Sequence, residues 1–176
     1  MSMTYVGNYS HAIPESWMST ILSTTGEIRP NEKMSANSEK NGYLEQQRKT
    51  WESAGYQILG GSIQWEMFFQ KNFTDRLRTE QFDFCNGKEI LTWWIPVIRP
   101  GKCFPLHHDA FEKSHGNIKR YWIALQDQEW GHIFTYEDKI LTNYKRGDVF
   151  LFDDVLHASA NVGLTTKATL QLVVSE

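Results

Sequence analysis

The second half of the chain, from about residue 89, consists of short strand-like segments separated by turn residues. Gly147-Asp148 and the segment Asn86-Gly87-Lys88 have the composition of such turns. We predict strands over residues 90–98, 104–109, 118–126, 132–136, 139–143, 148–152, 157–162 and 167–174. Many short strands with little helix between them are typical of an antiparallel sandwich or a jelly roll. The chain is therefore expected to be mainly β.

The first half of the chain has a different composition. Residues 14–24 and 43–54 have helical patterns, the second of them closed by Gly55, and residues 73–82 could form another short helix. The polar residues 26–42 predict a loop. The N-terminal half is therefore expected to hold a few helices joined by loops.

The length of 176 residues suits one domain with a substantial core. The 7 Trp, 7 Tyr and 10 Phe suit a β-rich core, because aromatic side chains favour a half-buried pleated surface. We expect a single domain over residues 1–176, in which residues 1–88 form helices and loops that support a jelly-roll core over residues 89–176.

Charge and cysteine usage exclude several classes of function. The net charge of -3 argues against a nucleic-acid partner. The first residues have neither the basic start nor the apolar run of a signal peptide, and no segment is apolar enough to predict a membrane partner. Cys85 and Cys103 do not form a CxxC pair, so free thiols in a reducing compartment are expected. Together these features predict a cytoplasmic protein.

A histidine and a carboxylate stand two positions apart at His107 and Asp109. On an extended strand, residues at this spacing point to the same face. His157 could supply a third ligand from another strand, and two histidines with one carboxylate leave open positions that suit a non-heme Fe(II) oxygenase. The alternative for His107 and Asp109 is a hydrogen-bonded pair near a loop.

The last predicted strand has one apolar and one polar face. Lys167, Thr169 and Gln171 share the polar face, which either meets solvent at a sheet edge or lines a cavity. In a cavity, Lys167 would need an anionic partner, because a buried unpaired ammonium is costly. Thr169 would add a hydroxyl hydrogen bond to the same acid. His157 and Ser159 could converge with Lys167 from a neighbouring strand.

Other polar and aromatic residues are expected to be structural. His108 has the opposite strand parity to His107, so its side chain should face away from the site. The remaining histidines, at positions 11, 115 and 132, are not expected to bind metal. Trp94, Arg120 and Trp122 could reach a pocket, but we expect each to serve the core instead.

The order of motifs in the C-terminal half resembles the Fe(II)/2-oxoglutarate-dependent oxygenases, particularly their prolyl-hydroxylase-like branch. The matching pieces, within roughly residues 90–174, are Arg99-Pro100-Gly101, His107-His108-Asp109, Gly147-Asp148-Val149-Phe150-Leu151-Phe152, His157 and Lys167. The resemblance implies a double-stranded β-helix, a jelly-roll variant, with N-terminal helices packed on one sheet. It also implies that His107, Asp109 and His157 bind iron and that Lys167 binds the distal carboxylate of 2-oxoglutarate.

The same resemblance implies a dioxygenase that consumes O2 and 2-oxoglutarate, releases succinate and CO2, and hydroxylates a C–H bond. The retained Asp109 favours hydroxylation, because halogenating relatives lack this carboxylate. The expected substrate is a small molecule or a protein or peptide side chain.

Two alternatives stand beside this interpretation. A cupin-like metalloprotein is disfavoured, because cupins typically use a His-x-His pair that the chain lacks. The second alternative is a non-catalytic jelly-roll binding module in which the histidines and the lysine are incidental. Iron loading and succinate production distinguish the three.

Overall fold

Strands dominate the fold, which was obtained as a computed structural model. It describes residues 3–30, 42–58, 61–109, 117–152 and 155–176, and for residues 42–45 it describes the backbone alone. The helices are α1 (Ser16–Ser23) and α2 (Gly42–Ser53). The strands are β1 (Thr4–Asn8), β2 (Glu27–Arg29), β3 (Trp65–Phe68), β4 (Ile90–Ile98), β5 (Lys102–His107), β6 (Ile118–Ala124), β7 (His132–Tyr136), β8 (Lys139–Ile140), β9 (Asp148–Leu151), β10 (His157–Asn161) and β11 (Lys167–Ser175).

The strands form two antiparallel sheets. The larger has seven strands in the order β1-β9-β6-β11-β4-β3-β2, and the smaller has four in the order β5-β10-β7-β8. From β4 onward the chain alternates between the two sheets, with β4, β6, β9 and β11 in the larger one and the other strands in the smaller. This alternation is the winding of a double-stranded β-helix. The predicted fold class is confirmed.

The centre of the larger sheet is β11, whose outer face packs on the N-terminal segments. Ala168, Leu170, Leu172 and Val174 belong to one buried cluster with Trp17 and Ile21 of α1. Trp17 also stacks on Phe73 and Trp93, with ring centroids 4.7 and 5.1 Å away. Burying a large apolar side chain contributes about 1.5–3 kcal/mol, so this face anchors the N-terminal half.

The space between the sheets holds a second cluster. Trp122 and Ala124 of β6 meet Phe134 of β7 there, together with Phe152 and Val155 beside β9 and β10. Inward-facing side chains of both sheets thus form the core of the β-helix.

An arginine network ties α1 to the larger sheet. Arg99 Nε donates to Glu66 Oε1 at 2.8 Å, and Arg99 Nη2 donates to the carbonyls of Ile21 and Thr24 at 2.9 and 2.8 Å. These carbonyls lie at the end of α1, where helical partners are missing. Gly101, at φ +76°, then turns the chain from β4 into β5. The predicted Arg-Pro-Gly turn thus fixes the start of the strand that ends at His107.

The N-terminal half departs from the prediction in two ways. The helix predicted over residues 73–82 is wrong, because the only helical element in this described stretch is a short 3-10 turn at Thr79–Gln81, which a second one follows at Asp83–Cys85. The strands β1, β2 and β3 were not predicted, and β2 lies inside the predicted loop 26–42. Residues 31–41 of that loop lie outside the described residues. Both predicted helices, α1 and α2, are confirmed. No helix in the described parts of the chain is both long and apolar enough to cross a membrane.

Candidate metal centre

Two neighbouring strands of the smaller sheet bring the histidines together. His107 ends β5 and His157 begins β10, and the two residues are paired directly across the antiparallel ladder. Asp109 follows two residues after the end of β5. One ligand atom from each of these three residues lies within 4.8 Å of the others. Within the described residues, this is the cluster of His, Cys, Asp and Glu side chains that could hold a metal ion.

The two imidazole rings present the same nitrogen to the centre. His107 Nε2 lies 3.6 Å from Asp109 Oδ1, and His157 Nε2 lies 3.4 Å from Asp109 Oδ2. The Nδ1 atoms face backbone carbonyls, of Pro105 at 2.6 Å and Val155 at 2.8 Å. A carbonyl oxygen can only accept a hydrogen bond, so Nδ1 carries the proton and Nε2 keeps its lone pair for a metal.

The charge states also suit metal binding. Burial, with a smaller contribution from His157, lowers the pKa of His107 to about 3, so its imidazole is neutral near pH 7. Burial alone would raise the pKa of Asp109. The neighbouring His157 ring and the charge of Arg120 outweigh this effect and hold the pKa of Asp109 well below its usual range.

The donor set therefore fits a divalent metal ion. A metal ligand must be deprotonated, and the carboxylate and the neutral His107 imidazole meet this condition. His107 Nε2 is buried and has no hydrogen-bond partner in the part of the chain that the structure describes. Such an orphaned acceptor is explained if a metal is its partner.

Arg120 contacts the candidate carboxylate ligand directly. The buried guanidinium places Nη1 2.5 Å from Asp109 Oδ2, and its central carbon lies 4.3 Å from the ring centroid of Phe152. Its Nε and Nη2 atoms have no hydrogen-bond partner among the described residues. Arg120 was expected to serve only the core, so its contact with the site was missed. The sequence does contain a signal for this contact, because Arg120 lies on the same face of β6 as the inward-facing Trp122 and Ala124. Trp122 does belong to the core between the sheets.

Lys167 lies inside the β-helix, on the inward face of β11. Its side chain is 2% exposed, donates to Ser159 Oγ and lies 5.5 Å from the ring centroid of Phe134. No carboxylate among the described residues forms an ion pair with it. Burial lowers the pKa of Lys167 to about 7. The alternative of a solvent-exposed polar edge is wrong, because β11 lies between β4 and β6.

A cavity of about 430 Å³ opens beside these residues. Asp109, both site histidines, Ser159 and Thr169 contribute to its wall. The remaining lining residues are Arg29, Trp65, Met67, Phe69, Thr92, Trp94, Pro96, Ile98, Phe104, Phe134 and Gln171. Trp94, expected to be structural, therefore borders the cavity.

The other histidines lie apart from the centre. His108 is exposed, as its parity predicts, and its backbone carbonyl accepts a 2.8 Å hydrogen bond from Gln47 of α2. His132 is buried, with Nε2 3.2 Å from the carbonyl oxygen of Thr165. His11 is exposed. His115 lies outside the described residues.

Comparisons with known proteins give weak structural similarities. No family model matches the chain, and no curated protein matches it. The viral collagen prolyl hydroxylase of Paramecium Bursaria Chlorella virus-1 is 13% identical, with 67% of this chain and 82% of that chain covered at a TM-score of 0.48. A predicted oxalate decarboxylase of Thermotoga maritima is 21% identical, with coverages of 66% and 85% and a TM-score of 0.40.

A third solved structure is a non-heme alpha-ketoglutarate-dependent epimerase from nogalamycin biosynthesis. It is 15% identical, with 51% of this chain and 47% of that chain covered at a TM-score of 0.40. The structural neighbours at low identity thus include 2-oxoglutarate-dependent enzymes. At these scores the fold assignment rests on the strand order of the two sheets.

Proposed function

We propose that the protein is an Fe(II)- and 2-oxoglutarate-dependent dioxygenase that hydroxylates a C–H bond and releases succinate and CO2. One arrangement carries this proposal. Two histidines and an ionised carboxylate converge on one point. A buried lysine, which has no ion pair among the described residues, donates to Ser159 in the wall of the same cavity.

His107, Asp109 and His157 would hold the iron. Three protein ligands on an octahedral ion leave three positions for co-substrates, the arrangement of the facial triad. The bound metal would supply the activation of O2 and the oxidative chemistry. The backbone carbonyls of Pro105 and Val155 keep both imidazoles in the orientation that such a metal needs.

Lys167 would bind the distal carboxylate of 2-oxoglutarate. Burial disfavours its charged form, and an anion placed beside it would restore that form. Ser159 already accepts a hydrogen bond from its ammonium, which aims the group between β10 and β11. Thr169 lines the cavity next along the same strand face and would donate its hydroxyl to the same carboxylate.

The cavity wall would keep water from the reacting centre. Ile98, Phe104 and Phe134 surround the polar groups with apolar surface. Phe104 also stacks on His107, with ring centroids 3.6 Å apart, which limits rotation of the imidazole. A low-dielectric site of this kind strengthens the charge interactions within it.

The test is an anaerobic titration with Fe(II) followed by 2-oxoglutarate. We expect a weak visible charge-transfer band that requires both components, and succinate release once oxygen is admitted with a substrate. Binding of iron without the band, together with no succinate, would leave a metal-binding jelly-roll module in place of the dioxygenase.

A further inference from the structure

The cavity extends along the larger sheet beyond β4, over β3 and β2. The larger sheet continues from β4 into β3 and β2, whereas the smaller sheet ends at β5. Met67 and Phe69, on and just after β3, and Trp94 of β4 line this extension and are half-buried. We call it the lateral groove. Its floor is apolar, and it is continuous with the candidate metal centre.

A cation closes the outer end of the lateral groove. Strand registers place Arg29 opposite Trp65, and Lys167 opposite Ile98. The pairing of Met67 with Pro96 aligns Trp65 with Ile98, so all four residues form one row across the sheet. Three strand spacings separate Arg29 from Lys167, which is a distance of roughly 14 Å. The two cations thus stand at opposite ends of one row.

Arg29 lines the groove and has one side-chain donor without a partner among the described residues. Its Nη2 pairs with Glu27 Oε1 at 2.8 Å, and both side chains are partly exposed, at 27% and 40%. An exposed pair of this kind contributes little and exchanges readily. Its Nε is buried and has no hydrogen-bond partner among the described residues. A donor in this position is satisfied when a ligand oxygen reaches it.

We propose that the lateral groove binds the substrate, and that this substrate is a small carboxylic acid with an apolar or aromatic body. The body would lie on Trp94, Met67 and Phe69, and the carboxylate would meet Arg29. The volume of about 430 Å³, shared with 2-oxoglutarate, suits a small molecule. This inference rests on the proposed dioxygenase function, because it names the substrate class of the same site.

The test uses two fluorescent probes that share an aromatic body. The anionic probe is 8-anilinonaphthalene-1-sulfonate and the neutral probe is N-phenyl-1-naphthylamine, both titrated into the full chain with and without excess 2-oxoglutarate. Arg29→Gln should weaken the anionic probe about tenfold and leave the neutral one unchanged. Glu27→Gln should strengthen the anionic probe about two- to threefold, because it frees the guanidinium. Trp94→Ala should weaken both.

Several outcomes would overturn the groove assignment. The first is an equal loss of affinity for both probes in Arg29→Gln, and the second is an unchanged affinity for the anionic probe in Glu27→Gln. The third is displacement of the probe by 2-oxoglutarate, and the fourth is that neither probe binds. Trp130→Ser is the matched control, because Trp130 is almost fully exposed and lies outside the groove. Loss of probe binding in that variant would likewise place the probe elsewhere. Failure of 2-oxoglutarate to bind, with probe discrimination intact, would instead remove the dioxygenase proposal alone.

Discussion

At the scale of single residues, the candidate metal centre depends on three side chains. His107→Ala, Asp109→Ala and His157→Ala should each abolish Fe(II) binding, because each removes one of the three candidate ligands that the described residues provide. The measurement is the binding of Fe(II) or Co(II), monitored by absorbance or by calorimetry. His108→Ala is the matched control and should retain the metal, since His108 is exposed. Loss of metal in His108→Ala alone would contradict the ligand set.

Lys167 should determine the affinity for 2-oxoglutarate. A charge-assisted hydrogen bond contributes about 1.5–3 kcal/mol, so Lys167→Ala should weaken the co-substrate roughly ten- to a hundredfold. Lys167→Arg should restore part of this affinity, because a guanidinium also pairs with a carboxylate. Calorimetry on the iron-loaded variants measures both. Iron affinity without co-substrate should barely change, and an unchanged 2-oxoglutarate affinity would remove this role for Lys167.

Arg120 should stabilise the fold through Asp109. Breaking a buried ion pair costs about 3–5 kcal/mol, and we expect about 2 kcal/mol for Arg120→Gln because Asp109 is 29% exposed. The pair contributes at pH values above the unfolded pKa of Asp109 and is lost as the pH falls through the lower folded pKa. The cost of Arg120→Gln should therefore shrink on strong acidification.

Urea unfolding of the metal-free protein measures this effect. A double-mutant cycle with Asp109→Asn isolates the pair, because each single variant removes one partner. Additive effects of Arg120→Gln and Asp109→Asn would show that Arg120 acts independently of the carboxylate.

At the scale of elements, β11 separates two roles by strand parity. Its outer face packs on α1 and its inner face lines the site, and the alternating sequence predicts which residues share each face. Leu170→Ala should destabilise the protein by about 2–5 kcal/mol, because Leu170 is fully buried in the outer cluster, which the outer face of β11 forms with α1. Leu164→Ala, at a 95% exposed position, should change the free energy of unfolding by no more than about 0.5 kcal/mol. Equal costs in urea unfolding would contradict the assigned faces.

The elements that were not predicted share a physical cause. Trp65 and Glu66 of β3 are both buried, as is Phe68, so the strand lacks the alternation that identifies a half-exposed one. The strand β2 has only three residues, too few for any periodicity. Residues 73–82 have helical composition, but Phe73, Leu77 and Phe82 are all drawn into the outer cluster, which irregular backbone and 3-10 turns allow. Tertiary packing overrides propensity here.

At the scale of the whole molecule, the buried Lys167 couples stability to pH. Its unfolded pKa is 10.5 and its folded pKa is about 7, so the unfolded chain binds more protons between these values. Stability of the metal-free protein should therefore rise with pH above about 7, by up to about 1.4 kcal/mol per pH unit. Urea unfolding at pH 7 and pH 9 measures this slope.

The matched variant for this slope is Lys167→Met, which keeps the length of the side chain and removes the charge. This variant should lose the rise of the unfolding free energy with pH, although every other titrating group is still present. Adding iron and a saturating concentration of 2-oxoglutarate should also flatten the dependence of stability on pH in the unmodified protein, because a paired ammonium keeps its proton. An identical slope in Lys167→Met would assign the pH dependence to other groups.

The sequence by itself determined the features that depend on local periodicity. Alternation at period two predicted the strands from β4 onward and which residues of β11 share a face. The spacing of His107 and Asp109 predicted that the two side chains converge, although β5 ends at His107 and Asp109 follows it. Side-chain direction along a strand follows from the backbone pleat, so it can be read without knowing the neighbours.

Only the tertiary structure decided which groups meet across strands. The contact of Arg120 with Asp109, the row from Arg29 to Lys167 and the burial of Lys167 all depend on register and strand order. Register is set by the summed packing of distant segments, and a shift of one residue would turn each of these side chains to the opposite face. The sequence therefore identifies the residues of the site, whereas the fold of the β-helix decides which other side chains they contact.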